Sequence, residues 1–164
     1  TEGIVDNLGL RFENGDIRQL KDQKLKLIEP DEEELELPDV TFSSVINLPA
    51  SDFQKIIRDL SNISDRLEIK SAGQELIFEC QGSWAKAKII RSECDGNMEF
   101  QHKPEANKVI QGEFSLKNLS YFIKCTNLCS SIEVYLENDL PLIVRYAVAS
   151  LGSIKLALAP LPSS

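Results

Sequence analysis

The sequence of 164 residues contains one histidine, one tryptophan and one methionine. A single imidazole, His102, cannot build a multi-histidine metal site. The four cysteines, Cys80, Cys94, Cys125 and Cys129, include no CxxC pair, which disfavours zinc-ribbon and thioredoxin-type chemistry. Cys125 and Cys129 stand one helical turn apart, and all four read as reduced, partly buried thiols. No apolar run approaches the roughly 20 residues of a membrane span, so no membrane partner is expected. The opening TEGIVDNLGL has neither a basic start nor a long apolar stretch and does not read as a signal peptide. GxSxG, HExxH and P-loop patterns are absent, and His102 reads as a solvated loop residue. The expectation is a protein that is not an enzyme and needs no cofactor or metal.

Acidic charge is unevenly spread. The chain has 26 acids against 18 bases, a formal net charge of -8. Glu29, Asp31, Glu32, Glu33, Glu34, Glu36 and Asp39 supply seven of those acids with no base among them, leaving 19 acids against 18 bases elsewhere. The body of the chain is therefore close to neutral. An overall acidic balance does not exclude a nucleic-acid partner when charges are sorted by surface. With 42% hydrophobic residues, the chain can bury a real core.

Hydrophobic periodicity divides the chain. Leu8, Leu10 and Phe12 alternate, Asn14-Gly15-Asp16 turns, and Leu20, Leu25 and Leu27 resume, which predicts a hairpin over 7–28. Residues 29–40, EPDEEELELPDV, have no helical stripe and read as an extended, solvated connector. Residues 41–49 predict a strand burying Phe42, Ile46 and Leu48. Ser51 is the expected N-cap of a helix. Phe53, Ile56, Ile57, Leu60 and Ile63 form its apolar stripe, with Lys55, Arg58, Asp59 and Asn62 opposite. Strands are expected at 66–70 and 75–81 around Ala72-Gly73-Gln74, and at 84–92. Residues 93–107 read as a short strand between loops. Another strand at 108–114 precedes a second helix with Leu116, Leu119, Phe122 and Ile123 inside and Lys117, Ser120 and Lys124 facing out. Strands at 131–137, 140–150 and 153–160 close the chain. Two helices among antiparallel strands make an α+β fold, with 41–92 and 108–160 as a weak internal repeat.

Four segments in this order resemble the eukaryotic sliding clamp, the proliferating cell nuclear antigen family: KLKLIEPDEEELELPDVTFSSVINLP (24–49), FQKIIRDLSNISD (53–65), FSLKNLSYFIKCTNLCSSIEVYL (114–136) and DLPLIVRYAVASLGSIKLALAP (139–160). The likeness covers roughly residues 7–160. It implies a DNA clamp fold in which two helices line the DNA-facing side. It also implies that 1–28 are the terminal strands of a shortened N-terminal clamp domain, 29–40 the interdomain connector, 41–160 a C-terminal clamp domain and 161–164 a tail.

The function so implied is that of a nuclear processivity factor. A ring of three subunits encircles double-stranded DNA without reading sequence, and carries DNA polymerase, the clamp loader and other PIP-box proteins. DNA-facing candidates are Lys55, Arg58, Asn62, Lys117 and Lys124; the family often has a basic residue where Asn62 stands. The partner-peptide groove maps to Leu35, Leu37, Pro38, Pro141, Leu158, Ala159 and Pro160, a helix-in-groove site. Leu156-Ala157 replaces a usual Tyr-Tyr pair, which implies a smaller pocket floor. The subunit interface maps to Leu20 and Leu25 on one strand and to Trp84, Lys86, Ala87 and Ile89 on an edge strand. Trp84 belongs either at that boundary or in the core. Gly73 falls where the family carries its ubiquitin-modified lysine. A checkpoint-type, damage-signalling hetero-trimeric clamp is the alternative.

Overall fold

The structure, a computed structural model, describes the backbone of residues 7–14 and 19–26 and the chain with its side chains over 40–162. It divides into two units, Thr1–Asp39 and Val40–Ser164. In the first unit β1 (Asn7–Asn14) pairs antiparallel with β2 (Gln19–Lys26), from Asn7 opposite Lys26 to Asn14 opposite Gln19. The expected turn at 14–16 and the connector 29–39 lie largely outside the described residues.

The second unit begins with β3 (Ser44–Pro49), whose Ile46 and Leu48 are buried as their alternation predicts. Phe42 precedes the strand rather than lying in it. It is half-buried, set edge-on to the Tyr135 ring at 5.6 Å between centroids. Helix α1 (Ala50–Ser61) starts earlier than Ser51 would allow as a cap. Its N-cap is Pro49, with no side-chain hydrogen bond. Proline ends the strand with φ already near the helical value (φ -60). The Ala50 N–H, an orphan in most helices, instead donates to the Ser130 carbonyl at 2.9 Å. Phe53, Ile56, Ile57 and Leu60 are buried, and Ile63 packs partly against them.

An antiparallel meander follows: β4 (Arg66–Ala72), β5 (Glu75–Gln81) and β6 (Lys86–Ser92). Gly73 makes the first turn at φ +59, a conformation that favours glycine. A 3-10 turn (Glu93–Asp95) leads to β7 (Glu99–His102), so His102 is an exposed strand residue, not a loop residue. Next come β8 (Val109–Ser115) and α2 (Leu116–Phe122), capped by Ser115 Oγ accepting from the Asn118 N–H at 3.3 Å. A 3-10 segment, Ile123–Leu128, continues it. The chain finishes with β9 (Ser131–Leu136), β10 (Leu142–Val148) and β11 (Gly152–Leu158).

These strands form a five-stranded sheet, β11-β10-β9-β3-β7, and a four-stranded sheet, β6-β5-β4-β8. The repeat legible in sequence has a topological counterpart. Each half runs strand, helix, three-stranded meander. The first strand of each half pairs with the strand that follows the other half's helix: β3 with β9, and β8 with β4. The halves are thus stitched together twice, and one hydrophobic core runs through both. The buried Ser44 and Ser71 hydroxyls, 2.7 Å apart, link the two sheets. Tyr146, fully buried, donates from its hydroxyl to the Phe122 carbonyl at the end of α2, 2.9 Å away. All four cysteines are free thiols; Cys94 is exposed, whereas Cys80 is buried and desolvation pushes its pKa up.

Candidate nucleic-acid interface and docking surfaces

The helices lie side by side. Ser61 Oγ of α1 and Ser120 Oγ of α2 are 3.3 Å apart, and each also donates to a carbonyl one turn back in its own helix. Ser120 is therefore half-buried toward α1 and does not face out as the spacing suggested. Removing it from the outer face leaves α2 with Lys117, Tyr121 and Lys124 on one exposed stripe, at i, i+4 and i+7. On α1 the matching exposed residues are Lys55, Arg58 and Asp59, with Asn62 at its C-cap.

A shallow groove of about 520 Å³ runs between the helices. Arg58 and Asn62 line one side, Lys124 the other, with Ser61 and Ser120 between them. Lys55 opens instead onto an adjacent 580 Å³ depression shared with Asp52 and Arg91. Among the described residues none of Lys55, Arg58, Lys117 and Lys124 is in an ion pair, whereas Arg66, Lys70, Lys88, Arg91, Lys103, Lys108 and Arg145 all are. The free cations thus lie on the helices and the paired ones on the sheets. Unpaired ammonium and guanidinium groups can neutralise phosphates, with affinity that falls as salt rises. Tyr121, missed in the sequence, is 55% exposed, and Lys124 Nζ sits 4.9 Å above its ring.

Leu35, Leu37 and Pro38 lie outside the described residues. Pro141 and Ala159 are exposed and Pro160 is half-buried. Leu158 stands opposite the fully buried Leu142 and packs against the core, so its side chain is turned inward. Leu156 does the same. The outer face is built by their neighbours. Val45, Tyr135, Ile143 and Ala157 form one row across β3, β9, β10 and β11, and Phe42 leans on it. The signal for this row was strand alternation: where Leu156 and Leu158 face in, Ala157 faces out. Beside it, Glu133 accepts hydrogen bonds from Tyr135 Oη (2.6 Å), Arg145 (3.0 Å) and Gln101 (3.3 Å). Those contacts, the tyrosine first, hold the Glu133 pKa down despite partial burial.

Strand β6 is an edge of the four-stranded sheet. Lys86, Lys88 and Ile90 are exposed on it, while Ala87 and Ile89 are half-buried and pack against the core. What those two offer a partner is edge backbone, not side chain. Trp84 is 72% exposed, which overturns its placement in the core. The Gly82 N–H donates to the Ala85 carbonyl at 2.8 Å, closing a turn that projects Trp84 before strand alternation begins. Leu20 and Leu25 lie on β2, opposite Glu13 and Leu8.

Two meanders joined by exchanged first strands, with two adjacent cation-bearing helices, define a DNA-clamp type of domain. The chain matches the family "Proliferating cell nuclear antigen, C-terminal domain" over residues 36–161, and it belongs to that family. It is 35% identical over 158 residues to "Probable DNA polymerase sliding clamp 1" of Paramecium bursaria Chlorella virus 1, an overlap of 94% of this chain and 59% of that protein. The chain thus spans about three-fifths of that relative's length. Neither likeness supports the checkpoint-type alternative.

Proposed function

We propose that the protein to which this chain belongs is a DNA sliding clamp, a processivity factor that encircles duplex DNA and docks a polymerase. The observation that carries the reading is the segregation of free cations. Lys55, Arg58, Lys117 and Lys124 lie unpaired on two neighbouring helices, while the sheets carry compensated charge. A sliding contact needs phosphate neutralisation without base readout, and four mobile cations on helix surfaces suit that task. No step requires a catalytic group.

Within this reading, 29–40 is the connector and 41–160 the C-terminal clamp domain. Leu35, Leu37, Pro38, Pro141, Ala159 and Pro160 border the partner groove, floored by Phe42, Tyr135, Ile143 and Ala157, with Leu158 anchoring the tail from inside. PIP-box proteins and the clamp loader are its partners. Edge strand β6, with Trp84, pairs with β2 of the next subunit in a homotrimer, and the ring works in the nucleus in replication and repair.

The deciding experiment uses the full-length protein on primed DNA with blocked ends. Retention on blocked DNA, release when an end is freed, and longer polymerase products are the expected results. Equal retention on open and blocked DNA would sink the encircling ring.

A further inference from the structure

The outer side of β8 is occupied along its length, unlike that of β6. Asn138, in the turn after β9, acts as a surrogate strand. Its Oδ1 accepts from the Gln111 N–H at 2.9 Å and its Nδ2 donates to the Val109 carbonyl at 3.3 Å. Further along the same edge the Leu161 N–H donates to the Glu113 carbonyl at 2.7 Å. The C-terminal tail therefore adds the start of a strand to β8.

A side-chain clip fixes the same point. Arg66, which stands opposite Ser115 in the ladder, reaches Glu113 with both arms, Nε to Oε1 at 2.5 Å and an Nη to Oε2 at 3.3 Å. The same Nη also donates to the Pro162 carbonyl at 3.2 Å. One guanidinium thus joins the first residue of β4, the β8 carboxylate and the tail. A cavity of about 760 Å³, bordered by Glu68, Gln111, Asn138, Leu140 and Pro160, lies beside this tail, so little packing holds it there. Its path is set mainly by the Leu161 amide and the Arg66 fork.

We infer that Arg66 is a positioning residue for the partner groove: with Glu113 it latches residues 161–162 to β8 and so fixes Ala159 and Pro160 on the groove's rim. The inference rests on the groove assigned above. Pro160 is one residue before the latched amide, and β11 ends two residues before Pro160. The latch therefore leaves little slack between two anchors. A tail already ordered need not lose that freedom when a peptide docks. The role needs arginine, because a lysine ammonium cannot hold a carboxylate bidentately and a carbonyl at once.

The test uses the full-length protein, amide hydrogen exchange at Leu161, and titration with a peptide carrying an aliphatic and two aromatic anchors. Arg66→Ala speeds Leu161 exchange and weakens peptide binding, each by about threefold, the scale of an exposed ion pair. Arg66→Lys falls between alanine and wild type, and Glu113→Gln, which keeps shape and removes charge, matches Arg66→Ala. The salt dependence of DNA binding stays unchanged in all three. Wild-type exchange and peptide affinity in Arg66→Ala would overturn the latch. Faster Leu161 exchange with unaltered peptide affinity would overturn its role in the groove. A wild-type protein that ignores the peptide sinks the groove reading itself, and the latch is then decided by Leu161 exchange alone.

Discussion

Arg91 grips Asp52 with both arms of its guanidinium, Nε to Oδ2 at 2.8 Å and an Nη to Oδ1 at 2.9 Å. Arg91 is near the end of the edge strand β6 and Asp52 is in the first turn of α1. The pair therefore ties the candidate interface strand to the candidate DNA-facing helix, and Asp52 also complements the positive end of the helix. Both side chains are partly exposed, at 33% and 25%, so the pair is worth about 1 kcal/mol rather than several. Arg91→Ala and Asp52→Ala should each lower unfolding stability by about that amount. The double variant should cost less than their sum in urea titration, because each single change already breaks the pair.

The stripe on α2 makes a prediction about ionic strength. Lys124→Ala should lower the slope of log affinity for duplex DNA against log salt by about 1, the share of one phosphate contact. Tyr121→Ala removes no charge. It releases the ammonium held over the ring and should weaken binding at fixed salt while leaving the slope as it was. A fall in slope with Tyr121→Ala would contradict this division of roles.

Acid sensitivity should centre on Glu133. Hydrogen bonds from Tyr135 and Arg145 depress its folded-state pKa below the unfolded value of about 4.3. The group then contributes stability above about pH 4.3, lost as pH falls through the folded pKa. Glu133→Gln should flatten that part of the stability profile, measured by thermal unfolding across acidic pH. At the alkaline end the partner has the opposite sign. Burial, then the Glu133 carboxylate, pushes the Tyr135 pKa up to about 12. Its contribution is intact below the unfolded value of about 10 and is lost as pH rises through about 12. Tyr135→Phe should remove this alkaline loss.

Trp84 separates folding from assembly. Its side chain is 72% exposed, so Trp84→Ser should leave the melting temperature of the separated subunit unchanged. If the residue anchors the contact between subunits, the same change should weaken self-association of the full-length protein by about tenfold or more in sedimentation. Unchanged association would remove Trp84 from the interface.

What the sequence determined by itself is local. The α1 stripe Phe53, Ile56, Ile57 and Leu60, the glycine turn at Gly73 and the alternation of β4 and β5 follow from backbone periods of 3.6 and 2, and all are found. The family likeness was legible too, because it rests on ordered segments. Tertiary structure decided what each exposed position meets. Ser120 turns to α1 because Ser61, 59 residues away, offers it a hydroxyl. Trp84 projects because a turn ends before the strand begins. Arg66 meets the Pro162 carbonyl across 96 residues, and Asn138 seals a strand edge 27 residues distant. Periodicity specifies which face of an element is apolar. It carries no information about which distant donor will stand opposite a polar one, and that is fixed only when the two sheets and two helices close on a common core.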